Sequence, residues 1–443
     1  MRIVYLVPGP AGPFFEKNSL REQALVADLR WCGHDVLLVP LLFPLTPNAG
    51  IRPDTADIPV RGGAVRIYSR HALPTLARYA PDWLWRRLDA PWLRRKIAHR
   101  VLDSPKRFSE FMRDALDGRN GPLVAEMENL GAWLQQQRKP DMLLLSTPFL
   151  LGTAAMLKRR VSAPVCCAMN SELEDMSHLR GPEGIILLTK LRGMIADADG
   201  FIPVSHFHAE RIQNRFGIPE QTIRTVHPGI DCTDFTPAPL PPEPAIGIIV
   251  RGASEREDLA MPHIVSLLQR LVFTPPIALK VARAANLLPS NPRQQQTAET
   301  GIKVETLPES VAKLSHFFSS FTILIFLHGA PAPAFNYLVL EALASGIPVV
   351  LPDTGANAEI AAFCPAVFLY QNADSLTRQT QKILALSRDT AHALRLEARR
   401  SVEHYFSLPR MAQETADALQ TIINRCTRRQ DTWAIRPATP PVK

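Results

Sequence analysis

The 443-residue chain lacks the patterns that mark several large protein classes. No apolar run reaches the ~18–20 residues needed to span a bilayer, so the sequence predicts no transmembrane helix. The six cysteines are scattered and form no C-x-x-C pair, which argues against a zinc site and a disulfide framework. Residues 1–8 lack the flanks of a signal peptide and are typical of a first strand. We therefore expect a cytoplasmic protein, or one at the inner face of the membrane.

Signatures of other enzyme classes are also missing. The loop after the first strand is not G-x-G-x-x-G, which disfavours a nicotinamide-dependent dehydrogenase. No G-x-S-x-G or Ser-His-Asp pattern is visible, which argues against a hydrolase. The one D-x-D, Asp197 to Asp199, precedes a predicted strand and indicates a helix-to-strand turn rather than a metal site. No other cluster has metal-ligand spacing, so we expect no bound metal.

Charge is concentrated in one stretch. The net charge is +8, and residues 78–107 (Arg78 to Arg107) contain nine Lys or Arg against three Asp, together with Tyr79, Trp83, Trp85 and Trp92. Basic residues interleaved with tryptophan fit peripheral contact with an anionic membrane. A solvated insertion is the alternative interpretation. No nucleic-acid-binding module accompanies the patch, so we expect no nucleic-acid partner.

Apolar strands alternate with helices along most of the chain, which predicts an α/β fold with doubly wound parallel sheets. The length favours two domains, and the proline-rich stretch 237–245 is typical of a semi-rigid linker. We predict an N-terminal domain over 1–236, with an irregular basic and aromatic insertion at about 41–120, and a C-terminal domain over 246–408. A helix over 409–428 is expected to cross back to the N-terminal domain, and 429–443 to be a disordered tail. Two such domains leave a cleft between the carboxyl ends of their strands.

Helix signals are clearest at three places. Ser19 with Glu22 forms a capping box that predicts a helix ending before Gly33. Ser205 is expected to start a helix over 206–216. A third helix is predicted over 335–344, followed by Gly346 as its left-handed stop and a buried strand to residue 351.

The helix over 335–344 carries one carboxylate, Glu341, in an otherwise apolar sequence. A helix start offers N–H groups and a positive dipole end to a phosphate. A carboxylate one turn further in can accept two hydrogen bonds from a sugar diol. This combination predicts a nucleotide-sugar site, and an exposed helix glutamate is the alternative.

Three passages resemble the GT-B glycosyltransferases, specifically the retaining enzymes of glycosyltransferase family 4. The stretches 201–205 and 226–231, with Phe235 and Pro237, are similar to the family's "V-S … N-G-I-D … F-x-P". Residues 335–351 are similar to "E-G-F-G-L-x-x-L-E-A-M-A-x-G-x-P-V-V", and 33–36 to "L-x-x-x-G-H-x-V". The resemblance implies two Rossmann-like domains that face a central cleft.

The resemblance also implies site residues. Glu341 would hold the nucleotide ribose, and Asn336, Tyr337 and Leu338 would present backbone N–H groups to the pyrophosphate. Arg251 would clamp the phosphates and stabilise the leaving diphosphate. The remaining candidates are donor-side Gly12, Gly252 and Arg256, and acceptor-side Asn170 and Glu172.

The chain departs from the family pattern in three ways. Pro333 stands where the family's first glutamate contacts the donor sugar, no lysine completes the phosphate grip after Arg251, and Asn170 to Glu172 replace a histidine. His227 is interpreted as a hinge packing residue. Glu359, at a commonly acidic family position, is expected to cap the next helix or contact the loop near the base.

Together with these residues, the resemblance implies a metal-independent hexosyltransferase of polysaccharide biosynthesis. It would transfer a hexose from a nucleoside-diphosphate sugar to a glycan or lipid-linked acceptor with retention of configuration and without a cofactor. The alternative is a catalytically weakened GT-B protein that acts as a nucleotide-binding or regulatory subunit, which Pro333 and the missing lysine favour.

Overall fold

The structure is a computed structural model. The residues it describes are 1–9, 12–41, 65, 68, 84, 93, 96, 97, 110, 112–114, 116, 117, 121, 124–170, 182–237, 239–251, 278–283, 304–307, 311–328 and 332–434. Most of the basic stretch 78–107, the sites predicted at Glu172, Gly252 and Arg256, and residues 435–443 of the predicted tail lie outside the described residues. The membrane contact therefore stays a prediction.

The N-terminal sheet is built from five parallel strands. They are β1 (Arg2–Val7), β2 (Asp35–Pro40), β3 (Met142–Leu145), β4 (Val165–Met169) and β5 (Gly200–Pro203). Their order is β2-β1-β3-β4-β5, and Val4 pairs with Leu37 on one side and Leu143 on the other. This is one of the two common doubly wound orders, in which the strand order reverses between β1 and β3. A ligand crevice is expected at this point, outside the carboxyl ends of the strands.

Helices cover both faces of this sheet. They are α1 (Gly12–Trp31), α2 (Val124–Gln135), α3 (Leu151–Val161), α4 (Pro182–Met194) and α5 (His206–Phe216). One core joins Val4 and Leu6 to α2, α3 and α4, and the other joins Ile3, Tyr5 and Val7 to α1. The prediction that α1 starts at Ser19 is wrong, because the helix begins seven residues earlier, at Gly12. Ser19 therefore lies inside the helix, where the capping-box pattern has no capping function.

The C-terminal sheet has six parallel strands. They are β6 (Ala245–Arg251), β7 (Ala278–Arg283), β8 (Val304–Thr306), β9 (Ile323–His328), β10 (Val349–Pro352) and β11 (Val367–Tyr370). The order β11-β10-β9-β6-β7-β8 is the Rossmann order when read from β8. It reverses between β6 and β9, so a ligand is expected outside the carboxyl ends of these two strands.

Six described helices belong to the second half of the chain. They are α6 (Val311–Ser319), α7 (Tyr337–Ala344), α8 (Asn357–Phe363), α9 (Ala373–Leu384), α10 (Arg388–Tyr405) and α11 (Leu408–Ala434). Ala412, Ala416, Leu419 and Ile422 of α11 pack with Ile3 and Tyr5 of the N-terminal sheet. The helix continues to Ala434, so residues 429–434 are helical where the sequence predicted a disordered tail. The division into domains at 236 stays a prediction.

None of the described helices is both long enough and apolar enough to be a transmembrane segment.

Candidate functional site

The carboxyl ends of β6 and β9 lie side by side at the switch point of the C-terminal sheet. Arg251 is the last residue of β6, and in the sheet register it is paired with His328, the last residue of β9. The backbone thus places Arg251 at the edge where ligands bind in such sheets. The sequence did not single out His328, because the strand was predicted to end two residues earlier. The phosphate-binding role of Arg251 stays a prediction.

Helix α7 follows β9 and carries most of the predicted donor ligands. It begins at Tyr337, two residues after the predicted start, because Asn336 has an extended backbone and forms the N-cap. Gly346 adopts φ +76° and ends the helix, with its N–H bonded to Leu343 O at 2.9 Å. Val339, Leu340 and Leu343 are fully buried and fix the helix against the sheet. The predicted helix, stop and strand are therefore present, and the packing fixes the position of the helix start.

Glu341 lies one turn into α7, and a residue of α1 meets it there. Its side chain is only 16% exposed, and Arg21 Nη2 lies 3.8 Å from Glu341 Oε1. The guanidinium of Arg21 also stacks on the Tyr337 ring, with Cζ 3.4 Å from the ring centroid. At these distances the contact is a cation–π interaction combined with a loose ion pair. Sequence reasoning missed Arg21 because nothing in the local pattern of α1 indicates which helical arginine faces α7.

A cavity of about 60 Å³ lies beside this contact. Its lining brings together Asn170, predicted for the acceptor side, and Tyr337, predicted for the donor side. The remaining lining residues are Tyr5, Arg21, Glu22, Leu25, Leu144, Ala168, Ile202, Val204, Val226, Met411 and Thr415. A volume of this size holds only a few water molecules. A nucleotide sugar is larger than this volume, so the cavity must widen to hold one.

Asn170 is held in position at the end of β4. Its amide Nδ2 donates to Ser146 O at 3.1 Å, and Ser146 follows β3 directly. This bond gives Asn170 a structural role. Asn170 also lines the cavity, and its contact with a sugar stays a prediction. Gly12, the other N-terminal candidate, is the first residue of the helix that carries Arg21.

A second set of contacts ties the two sheets together at the start of α5. Glu359 accepts hydrogen bonds from the N–H groups of His206 (2.9 Å) and Phe207 (2.8 Å) and binds His227 Nε2 at 2.7 Å. Ser205 Oγ accepts from the His208 N–H at 3.0 Å and donates to Ala334 O at 2.7 Å. Glu359 therefore caps a helix of the N-terminal half. The expectation that it caps the next helix is wrong, and a contact with the loop near the base stays a prediction.

The electrostatics of Glu359 follow from these bonds. Burial alone raises its pKa, but the hydrogen bonds from His227 and from the N–H groups of Phe207 and His206 outweigh burial, so the pKa lies below its ordinary value. His227 packs among Phe335, Phe363 and Phe406, with ring centroids 5.9–6.1 Å away. The interpretation of His227 as a packing residue is confirmed.

His206, His227 and Glu359 bring their ligand atoms within 4.8 Å of one another. The sequence could not predict this cluster, because its members come from distant segments. Both carboxylate oxygens of Glu359 already accept hydrogen bonds, so hydrogen bonding accounts for the arrangement. The D-x-D motif has a structural role too. Asp199 binds Lys158 Nζ at 2.6 Å and the Val165 N–H at 2.9 Å, which confirms the predicted turn.

Comparison with known proteins supports a fold of the GT-B type. The family model described as Glycosyltransferase Family 4 matches residues 110–234. Starch synthase IV from Arabidopsis thaliana, a catalytic domain bound to ADP and acarbose, has a TM-score of 0.57 at 13% identity, over 96% of this chain and 100% of that one. Among the curated proteins, no sequence matches this chain.

Two bacterial structures are similar to the same extent. Sucrose-phosphate synthase from Thermosynechococcus elongatus gives a TM-score of 0.56 at 14% identity, over 96% of this chain and 100% of that one. HepE from Anabaena in complex with UDP-glucose gives a TM-score of 0.56 at 14% identity, over 95% of this chain and 100% of that one. With the two parallel sheets, these matches confirm the predicted GT-B fold.

Proposed function

We propose that the protein is a glycosyltransferase that moves a hexose from a nucleoside-diphosphate sugar to a glycan or lipid-linked acceptor. The observation that carries the proposal is the position of Glu341. Its carboxylate is largely buried and touches Arg21, which lines a cavity together with Tyr337 and Asn170. A carboxylate in this place can accept hydrogen bonds from a ribose diol. The GT-B fold and the family 4 match support the same reaction class.

Donor binding is assigned mainly to the C-terminal sheet. The first-turn N–H groups of α7, at Asn336, Tyr337 and Leu338, would face the pyrophosphate, which the helix dipole favours. Arg251 would bind the same group from the end of β6. Similar solved structures support this class of ligand, since HepE is in complex with UDP-glucose and the starch synthase IV domain is bound to ADP.

The proposed chemistry needs no protein nucleophile. The bond between the anomeric carbon and the diphosphate oxygen breaks, and the acceptor hydroxyl oxygen bonds to the same face of that carbon. The departing diphosphate takes the hydroxyl proton, so charge and atoms balance. The protein positions the two substrates and stabilises the leaving group, with Arg251 in that role. No metal is assigned to the reaction.

The test is diphosphate release by purified protein with UDP-, ADP- and GDP-sugars and a panel of glycan acceptors. Glu341→Ala should lower kcat/KM roughly 100-fold, because a charged acceptor of two hydrogen bonds is lost. Glu341→Gln should retain part of the activity. The control is Glu397→Ala, an exposed carboxylate on α10, which should match the wild type. Unchanged turnover in Glu341→Ala contradicts the assignment.

A second candidate is a nucleotide-binding or regulatory subunit with weakened catalysis. Pro333 occupies the place of the expected acid, and Gly355 packs so closely that a Cβ there would lie 2.7 Å from Pro333 O. Diphosphate binding by calorimetry, with no transfer for any donor, favours this candidate. Transfer that appears only in Pro333→Glu would identify the missing acid as the cause.

A further inference from the structure

We propose that Arg21 binds the diphosphate of the sugar donor from the N-terminal side of the cleft. This inference rests on the proposed function and names a ligand-binding residue that the family motifs do not include. Arg21 belongs to α1, whereas the other proposed phosphate contacts, Arg251 and the start of α7, belong to the C-terminal half. The diphosphate would then be held between the two halves of the molecule.

The charge balance of the cavity supports this assignment. Among its described lining residues Arg21 is the sole cation and Glu22 the sole carboxylate, and most of the others are apolar. The chain also lacks the lysine expected after Arg251. A diphosphate in a largely apolar cleft needs cationic partners to replace its hydration. Among the described lining residues of the cavity, Arg21 supplies such a charge.

The geometry of Arg21 favours an exchange of partners. The guanidinium carbon of Arg21 lies 3.4 Å from the centroid of the Tyr337 ring, and a guanidinium carries five N–H donors in a planar fork. The side chain is 27% exposed. Its 3.8 Å separation from Glu341 exceeds a hydrogen-bond distance, so the ion pair is readily exchanged. Arg21 is therefore partly exposed and loosely paired, and its planar fork matches the geometry of a phosphate.

The exchange of partners gives a simple sequence of events. Before the donor binds, Arg21 and Glu341 neutralise each other. When the donor enters, Glu341 turns to the ribose and Arg21 to the adjacent diphosphate, so each charge keeps a partner. The competing interpretation is that Arg21 only occupies Glu341 and so hinders nucleotide binding. The two interpretations predict opposite effects of removing Arg21 on nucleotide affinity.

The experiment is calorimetric titration of UDP, ADP and GDP into the wild type, Arg21→Ala and Arg21→Lys. For the diphosphate that the wild type binds, Arg21→Ala should raise Kd roughly 10- to 100-fold, as expected for lost charge-assisted hydrogen bonds. Arg21→Lys should lie between, because a point charge replaces the planar fork. Arg400→Ala removes an equal charge from an exposed site on α10 and should leave Kd unchanged.

The remaining outcomes are decisive as well. An unchanged or lower Kd in Arg21→Ala overturns the inference, and a lower Kd identifies Arg21 as a block. Far-ultraviolet circular dichroism and the unfolding midpoint confirm that each variant is folded. If the wild type binds none of the three diphosphates, the proposed function fails and the role of Arg21 falls with it. If the wild type binds one and only the Arg21 effect is missing, the proposed function stands.

Discussion

Two helices begin where the N-terminal and C-terminal sheets meet, and their first turns differ. At α5 the N–H groups of His206 and Phe207 bind Glu359, and that of His208 binds Ser205 Oγ. At α7 the N-cap residue is Asn336, whose side chain is 1% exposed and does not cap the helix. The start of α5 is thus capped by a protein carboxylate. Among the described residues, no carboxylate caps the start of α7.

Under the proposed function, one type of local structure serves two purposes. The N-terminal turn of a helix attracts an anion through its N–H groups and its dipole. At α5 the anion is Glu359, which belongs to the other half of the chain, so the attraction holds the two halves together. At α7 the expected anion is a ligand phosphate. The comparison predicts that changes at α5 affect stability, whereas changes at α7 affect nucleotide affinity.

Removing the carboxylate from the start of α5 should have the largest effect. Glu359→Ala leaves two backbone N–H groups and His227 without their acceptor, so we expect a loss of about 3 kcal/mol in the free energy of unfolding. Urea unfolding measures this loss. Glu397→Ala, the exposed control, should cost less than about 0.5 kcal/mol. Equal stability of the two variants would show that the cap does not join the halves.

Removing the hydroxyl of Ser205 should have the second largest effect on stability. It is fully buried and makes two bonds, one to its own helix and one to Ala334 O in the segment that leads into α7. We expect Ser205→Ala to cost about 2 kcal/mol in urea unfolding, the sum of a lost cap and an unsatisfied carbonyl. The matched control is Ser387→Ala, an exposed cap of α10 that bonds Thr390 within its own helix. A cost no larger than that of the control would exclude a role for the Ala334 bond.

The contrast between local and distant contacts also explains what the sequence could predict. Ser205 as N-cap and the helix His206–Phe216 were predicted correctly, because the signals for a cap and for a Gly stop lie next to each other in the chain. The start of α1 was missed, because a capping-box pattern inside a helix looks the same as one at its end. Local patterns therefore predicted the helices and strands and most of their first and last residues.

The site was harder to predict, because its contacts join distant residues. Glu359 and His206 are separated by 153 positions, and no pattern in either segment indicates the pairing. Arg21 reaches Glu341 across an even longer stretch. Glu341 was singled out because it is the one carboxylate of an apolar helix, and the resemblance added that its position belongs to a motif. Arg21 and the role of Glu359 emerged only when the fold placed their helices side by side.

A carboxylate introduced at the N-cap of α7 should occupy the start of that helix, as Glu359 occupies the start of α5. Asn336→Asp keeps the size of the N-cap residue and adds a negative charge beside the first-turn N–H groups. We expect Kd for the bound nucleoside diphosphate to rise roughly tenfold, because the charge repels the phosphates. Asn372→Asp at the exposed start of α9 is the control and should leave Kd unchanged. A lower Kd in Asn336→Asp would contradict phosphate binding at α7.

Acidification should produce the smallest effect, since a shift of one pKa unit is worth only about 1.4 kcal/mol. The pKa of Glu359 is lowered in the folded protein from its ordinary value of 4.5, so its ionisation stabilises the fold fully above that pH. This contribution is lost as the pH falls below 4.5 and through the folded-state pKa. We expect the difference in unfolding free energy between wild type and Glu359→Gln to be constant from pH 7 to 5.5 and to shrink toward pH 3.5. Urea unfolding at each pH measures it. A difference that stays constant or grows on acidification would mean that the capping bonds to His206, Phe207 and His227 do not favour the ionised carboxylate.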